Sequence, residues 1–127
     1  MIVEERDIPT LIFKISIGED ISESFQIFTD DACTIGFNYT YHTGTIKMKE
    51  DKRHSAIVLE FNTGNGRLSM DSTGNVIMTA SRLDNISKLK ASGARTYEAD
   101  FMALNTSTNK ITKHANIIFE ISNTASI

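Results

Sequence analysis

Between Gly74 and Phe101 the chain spells a strand, one short helix and a second strand, and nearly everything else in it is strand and turn. The run 74–79 (GNVIMT) reads as the outgoing arm of a hairpin, 81–92 as a capped helix and 96–101 (TYEADF) as the returning strand. An almost all-β chain with a single helical crossover late in the sequence narrows the fold to a sandwich or a small barrel. No residues around that crossover make a catalytic constellation, so function is expected in surfaces and not in an active site.

Period-two alternation carries the remaining strands. Leu11, Phe13, Ile15 and Ile17 alternate with Ile12, Lys14 and Ser16, behind Pro9, whose missing N–H is tolerated at a strand start. Phe25 and Ile27 mark a second strand, closed by Asp30 and Asp31. Ile35, Phe37, Tyr39 and Tyr41 predict a third. Past Gly44 the apolar register moves to Ile46 and Met48, a slip that predicts a bulge or a break at the glycine. Ile57, Leu59 and Phe61, then Leu68 with Met70, then Val76 with Met78 predict three more strands. In the crossover, Ser81 is positioned to cap the helix, Leu83, Ile86 and Leu89 form one apolar stripe, and Gly93 supplies the left-handed stop. Tyr97, Ala99, Phe101 and Ala103, and finally Ile117, Phe119 and Ile121, complete about eight strands, with turn signals every 8 to 12 residues.

At 127 residues this is one domain with an N-terminal arm over 1–7, a sandwich over 8–121 and a tail over 122–127. A net charge of -3 argues against a nucleic-acid partner, because phosphate contacts need clustered Lys and Arg, and the one basic stretch, Lys47 to Arg53, is diluted by Glu50 and Asp51. No apolar segment approaches the roughly 20 residues that span a bilayer, and 1–7 lack the pattern of a signal peptide, so the expectation is a protein made in a cytoplasm without a membrane partner. The single Cys33 leaves no internal disulfide.

The order Ile17-Gly18-Glu19, Asp30-Asp31, Gly44-Thr45-Ile46-Lys47-Met48, 74–79, a short helix ending at Leu89, and 97–101 resembles the small immunoglobulin-like β-sandwich proteins of tailed bacteriophages, over residues 8 to 121. The resemblance implies a single antiparallel immunoglobulin-like sandwich and a non-enzymatic virion protein: a tail, baseplate or fibre-attachment adaptor, present in many copies, bound to other virion proteins and made in the host cytoplasm. The competing function is a carbohydrate- or receptor-binding sandwich, or a capsid decoration protein. Exposed aromatics on one loop edge would favour the binding module.

Candidate chemistry is sparse. His42, His54 and His114 stand on different elements without Cys or carboxylate at ligand spacing, which predicts exposed, passive histidines and neither metal nor cofactor. Cys33 follows an acidic turn that would raise a thiol's pKa. Residues 64–69 (GNGRLS) faintly resemble a phosphate loop but precede a strand, so a hairpin turn is expected. Glu19, Asp20, Glu23, Asp30 and Asp31 would suit calcium only if their turns converge. Tyr39, Tyr41 and His42 would form an aromatic platform, but Tyr39 and Tyr41 share the parity of Ile35 and Phe37, which predicts core packing. Ile12, Val58, Ile77, Met102 and Ile118 are apolar opposite the core register. Either the helix over 81–92, or a misassigned parity in one or two strands, buries them within the monomer, or Ile77, Met102 and Ile118 belong to an interface with another subunit.

Overall fold

A computed structural model describes residues 8–30, 32–51, 53, 56–85, 89 and 94–124. Eight strands and one turn of helix follow in order: β1 (Thr10–Ile17), β2 (Ile21–Gln26), β3 (His42–Met48), β4 (Leu59–Asn62), β5 (Leu68–Met70), β6 (Asn75–Ala80), α1 (Arg82–Asn85), β7 (Thr96–Asn105) and β8 (Lys110–Thr124). They form two sheets, ordered β1-β8-β7-β3-β4 and β2-β6-β5. The chain is an all-β sandwich, as the alternation predicts.

The two inner faces share one core because each strand presents every second residue to it. Ile46 and Met48 of β3, Phe61 of β4, Tyr97 and Phe101 of β7 and Ile117 and Phe119 of β8 are fully buried against Leu68, Val76 and Met78 of the smaller sheet. Rings run through this interior: Phe61 on Phe119, Phe119 on Phe13, Phe13 on Phe25 and Phe25 on Phe101, with centroids 5.6–6.2 Å apart. Gly44 sits buried where a Cβ would press on the Met70 sulfur at 2.8 Å, so the glycine lets β3 close on β5. It does not break the strand, since β3 runs through it in unbroken register with β7.

Several expectations change. Pairing is not antiparallel throughout: β1 lies parallel to β8, with Thr10 opposite Asn116 and Phe13 opposite Phe119. The segment carrying Ile35, Phe37, Tyr39 and Tyr41 is no sheet strand. It folds back on itself, with a bridge from Phe28 to Gly36 and a bond from the Thr29 N–H to the Ile35 carbonyl, and Ile35 is exposed. The apparent register slip before Ile46 therefore lies in a loop, where Tyr41 takes a positive φ of 63° before β3 begins.

Of the crossover helix expected over 81–92, the first turn, Arg82–Asn85, and the helical Leu89 are described. Its first turn is held from across the sequence, the Arg82 N–H donating to Asp20 Oδ1 at 2.6 Å. Leu83, assigned to the apolar stripe, is 73% exposed, while Leu89 is fully buried; residues 86–88 and 90–93 lie outside the described residues. At the C-terminus β8 continues to Thr124, opposite Ile17 on β1, so the tail expected from residue 122 begins in a strand. The N-terminal arm over 1–7 also lies outside the described residues.

Gly64 and its neighbours make a turn from one sheet to the other and not a hairpin, since β4 and β5 belong to different sheets. Asn62 and Asn65 exchange side-chain to backbone bonds across it at 2.6 and 3.2 Å. The hairpin is the next one, β5 to β6, where the Asp71 carboxylate accepts from the N–H groups of Thr73 and Asn75 and from both their side chains. Those donors stabilise the charged form and hold Asp71 down to about 2.

Candidate interaction face and loop end

Outward positions of β1, β8, β7, β3 and β4 share one face of the larger sheet, and the ladder registers fix who stands beside whom. Ile12 is opposite Ile118, which is opposite Glu98. One step toward the β7–β8 hairpin comes the row of Asn116, Asp100 and Lys47, then Lys113, Met102 and Thr45, then Ile111, Leu104 and Thr43. Lys49 lies just past the end of β3, bridged to Glu98 by paired backbone bonds of 2.8 and 2.9 Å. Ile12 and Ile111 are 58% and 62% exposed, and Met102, Leu104 and Ile118 are half-buried between them. Polar neighbours frame them: Lys113 Nζ meets Asp100 Oδ1 at 3.2 Å. A furrow of about 290 Å³ runs along the face, walled by Thr45, Lys47 and Lys49 on one side and Glu98, Ala99, Asp100 and Met102 on the other.

Of the three residues expected at an interface, Met102 and Ile118 stand on this face. Ile77 does not. It is exposed on β6 between inward Val76 and Met78, so it points from the outer surface of the smaller sheet. The three cannot make one patch, because the sandwich core separates them. Ile12, set aside in the sequence, and Ile111, overlooked behind a polar loop, are the better neighbours of Met102 and Ile118. Val58 packs partly against the core.

A second cluster lies where the segment between β2 and β3 meets the β7–β8 hairpin. Here β8 carries an extra residue: Phe101 pairs with Ala115 but Met102 with Lys113, so His114 and Ala115 both point inward. His114, expected to be exposed, is buried, with its Nδ1 2.7 Å from the buried Tyr39 hydroxyl. Phe37 packs edge-on against His114 at 4.7 Å and against His42 at 5.3 Å. Burial, with the neighbouring His42 adding to it, pulls His114 down to about 4, and burial raises the Tyr39 phenol above its ordinary range. Both groups are therefore neutral at pH 7.

The suggested aromatic platform separates. Tyr39 is core and His42 half-buried, but Tyr41 is 72% exposed. Its carbonyl accepts from both the N–H and the hydroxyl of Thr106, each at 2.8 Å, tying the two loops together. A tyrosine at positive φ is sterically costly, and such residues gather at functional positions. The parity break before Gly44 was the sequence signal for it.

Among the described residues the acidic turns do not converge on a site. Asp20 serves α1, and Asp30 accepts from the N–H groups of Thr34 and Ile35 and from the Thr34 hydroxyl, which lowers its pKa. Among the described residues no group of three His, Cys, Asp or Glu side chains is placed to hold a metal ion; Asp31 and His54 lie outside them. Cys33 is exposed at a positive φ of 57°. No helix of the described chain is long and apolar enough to cross a membrane. No protein-family model matches the chain, and neither does any curated protein.

Proposed function

We propose that the chain is a non-enzymatic structural subunit of a tailed-bacteriophage particle, an immunoglobulin-like adaptor acting through protein contacts in many copies. The observation that carries this is the outer face of the larger sheet: the interior is already filled, yet Ile12, Ile111, Met102, Leu104 and Ile118 line the opposite surface. A sandwich has one interior, and apolar residues on its outside, here in two groups on either side of the polar row of Asn116, Asp100 and Lys47, support a contact surface.

Two features support the immunoglobulin-like part. Strands two, six and five stand against strands eight, seven, three and four, the division that fold makes between its B, E, D and its G, F, C and C′ strands. Tyr97 starts β7 and donates its buried hydroxyl to the Leu89 carbonyl at 3.3 Å, eight residues upstream, which is the bond of a tyrosine corner. Quantitative peptide counting on purified particles of the source phage tests the role. Recovery at a fixed, multiple copy number per particle is expected, and loss of the chain during purification would overturn it.

Tyr41 favours the second reading, a receptor- or carbohydrate-binding module, since it puts one aromatic ring on a loop edge. In that reading Tyr41, with the polar side chains of Thr40 and Thr106 beside it in sequence and fold, is the contact residue.

A further inference from the structure

Two neighbouring strands of the outer face carry opposite charge. Glu98 and Asp100 project from β7, and Lys47 and Lys49 from β3 and the residue after it, in the same two rows. An acidic column thus runs beside a basic column, with the furrow between them. Around the columns stand the exposed or half-buried Ile12, Ile111, Met102 and Ile118.

We propose that this face is a two-fold self-association surface, on which Glu98 and Asp100 of one copy meet Lys47 and Lys49 of a second copy. The geometry selects the axis. A two-fold axis along the furrow, parallel to the strands, lays each β7 over the partner's β3 and so places every column on its opposite. A two-fold axis across the strands would lay β7 on β7 and β3 on β3, setting carboxylate against carboxylate and ammonium against ammonium. Like charges face to face repel, so the first arrangement is selected. Isologous contact of this kind is the commonest closed symmetry among homo-oligomers. Lys113 already takes one oxygen of Asp100, and a carboxylate accepts several donors, so the intramolecular pair remains in the assembled form.

The area suffices. About that axis β8 lies over β4 and β7 over β3, so four strands overlap; spaced about 4.8 Å apart, each presenting about seven residues at about 3.3 Å, they give roughly 440 Å² in projection, before side-chain relief. A standard interface buries about 800 Å² of accessible surface per partner. This pairing is independent of whether the chain belongs to a phage particle, because its test uses the isolated protein.

Charge reversal tests it. One variant carries Lys47→Glu with Lys49→Glu, making both columns acidic; the other carries Glu98→Lys with Asp100→Lys, making both basic. Sedimentation equilibrium should give twice 14.1 kDa for the wild type at about 100 µM, a concentration that populates even a weak dimer. Each variant alone should be monomeric, with unchanged circular dichroism, and an equimolar mixture should recover the dimer mass. If a double reversal does not fold, the single reversals Lys49→Glu and Glu98→Lys provide the same three-way comparison. A monomeric wild type, a variant that dimerises alone, or a mixture that stays monomeric would each overturn the proposal.

Discussion

Tyr39 and His114, 75 residues apart in sequence, meet in the core with the phenol oxygen 2.7 Å from the imidazole Nδ1. The pair ties the irregular segment between β2 and β3 to the bulge in β8, where no backbone ladder joins them. Because the ring is buried with its charged form disfavoured, folding and protonation of His114 are linked. The folded pKa, about 4, lies below the ordinary 6.5, so the unfolded chain binds the proton first. Stability from this group is complete above pH 6.5 and is lost as the pH falls from 6.5 to about 4. With allowance for the part of the ring near solvent, the loss should be about 2 kcal/mol. Urea midpoints measured across that window should fall for the wild type and stay level for His114→Phe, whose baseline is lower because it leaves the Tyr39 hydroxyl unpaired. A flat wild-type profile between pH 6.5 and 4.5 would contradict the linkage. Asp71 acts lower, its contribution draining only as the pH falls from 3.8 to about 2, so the two windows separate.

Tyr97 offers a test with fewer moving parts. Its ring is wholly buried and its hydroxyl reaches the Leu89 carbonyl, so Tyr97→Phe removes one hydrogen bond and almost no volume. Leaving a buried carbonyl without that donor should lower stability by about 1 to 2 kcal/mol in urea unfolding, with the circular dichroism spectrum unchanged. An unaltered midpoint would mean that the bond contributes nothing to holding the crossover on β7.

The alternation of Leu11 to Ile17, Val76 with Met78 and Tyr97 to Ala103 told which side of each strand faces the core, because side-chain direction in a strand is a local property. Partnership is not local. Nothing within 10–17 announces that this strand runs parallel to one beginning a hundred residues later, and Ile77 looks like Met102 until the sheets are known. Phe37 and Tyr39 kept strand parity without being in a strand, since a loop folded over the core buries its own aromatics. His114 was misread because a bulge inserts a residue that alternation cannot detect. The paired charge columns were written in the sequence as Lys47 with Lys49 and Glu98 with Asp100, but they became neighbours only through the β3–β7 register.

Gly36 and Gly74 interlock the same segment with the β5–β6 hairpin. A Cβ on Gly36 would overlap the Thr73 carbonyl oxygen, and one on Gly74, at a φ of 90°, would strike the Ile27 carbonyl. Both obstacles are backbone and cannot swing away. Gly36→Ala and Gly74→Ala should each destabilise by about 2 to 4 kcal/mol, whereas Gly64→Ala, which has only the Asn62 side chain nearby, should stay within about 0.5 kcal/mol. Thermal melts of the three variants check the contrast, and equal melting points would remove the interlock.

Ile118 and Ile117 are adjacent in sequence and face opposite ways, so lysine at each should behave differently. Ile117 is fully buried, and an ammonium there has no partner; the variant should unfold or lose several kcal/mol. Ile118 is half-buried beside Glu98 and Ile12 on the outer face, where a long lysine stem can lie along the sheet with its charge in water. Ile118→Lys should melt within a few degrees of the wild type while weakening any docking through that face. An unfolded Ile118→Lys chain would place the residue in the core and withdraw it from the contact surface.

Tyr41 brings stability and function into opposition. At a φ of 63° its Cβ crowds the backbone, a strain of about 1 to 2 kcal/mol that glycine would not carry. Its exposed ring contributes little burial in return, and the two bonds to Thr106 use the carbonyl, which glycine keeps. Tyr41→Gly should therefore leave the fold intact and raise the stability in urea unfolding by about 0.5 to 1 kcal/mol after the added freedom of the unfolded chain is subtracted. If the ring is held there for a receptor or a sugar, the same variant should lose attachment to host cells in a pull-down with the purified chain, while Tyr41→Phe keeps most of it. Lower stability in Tyr41→Gly would show that the ring is structural after all, and binding equal to the wild type would remove Tyr41 from the contact surface.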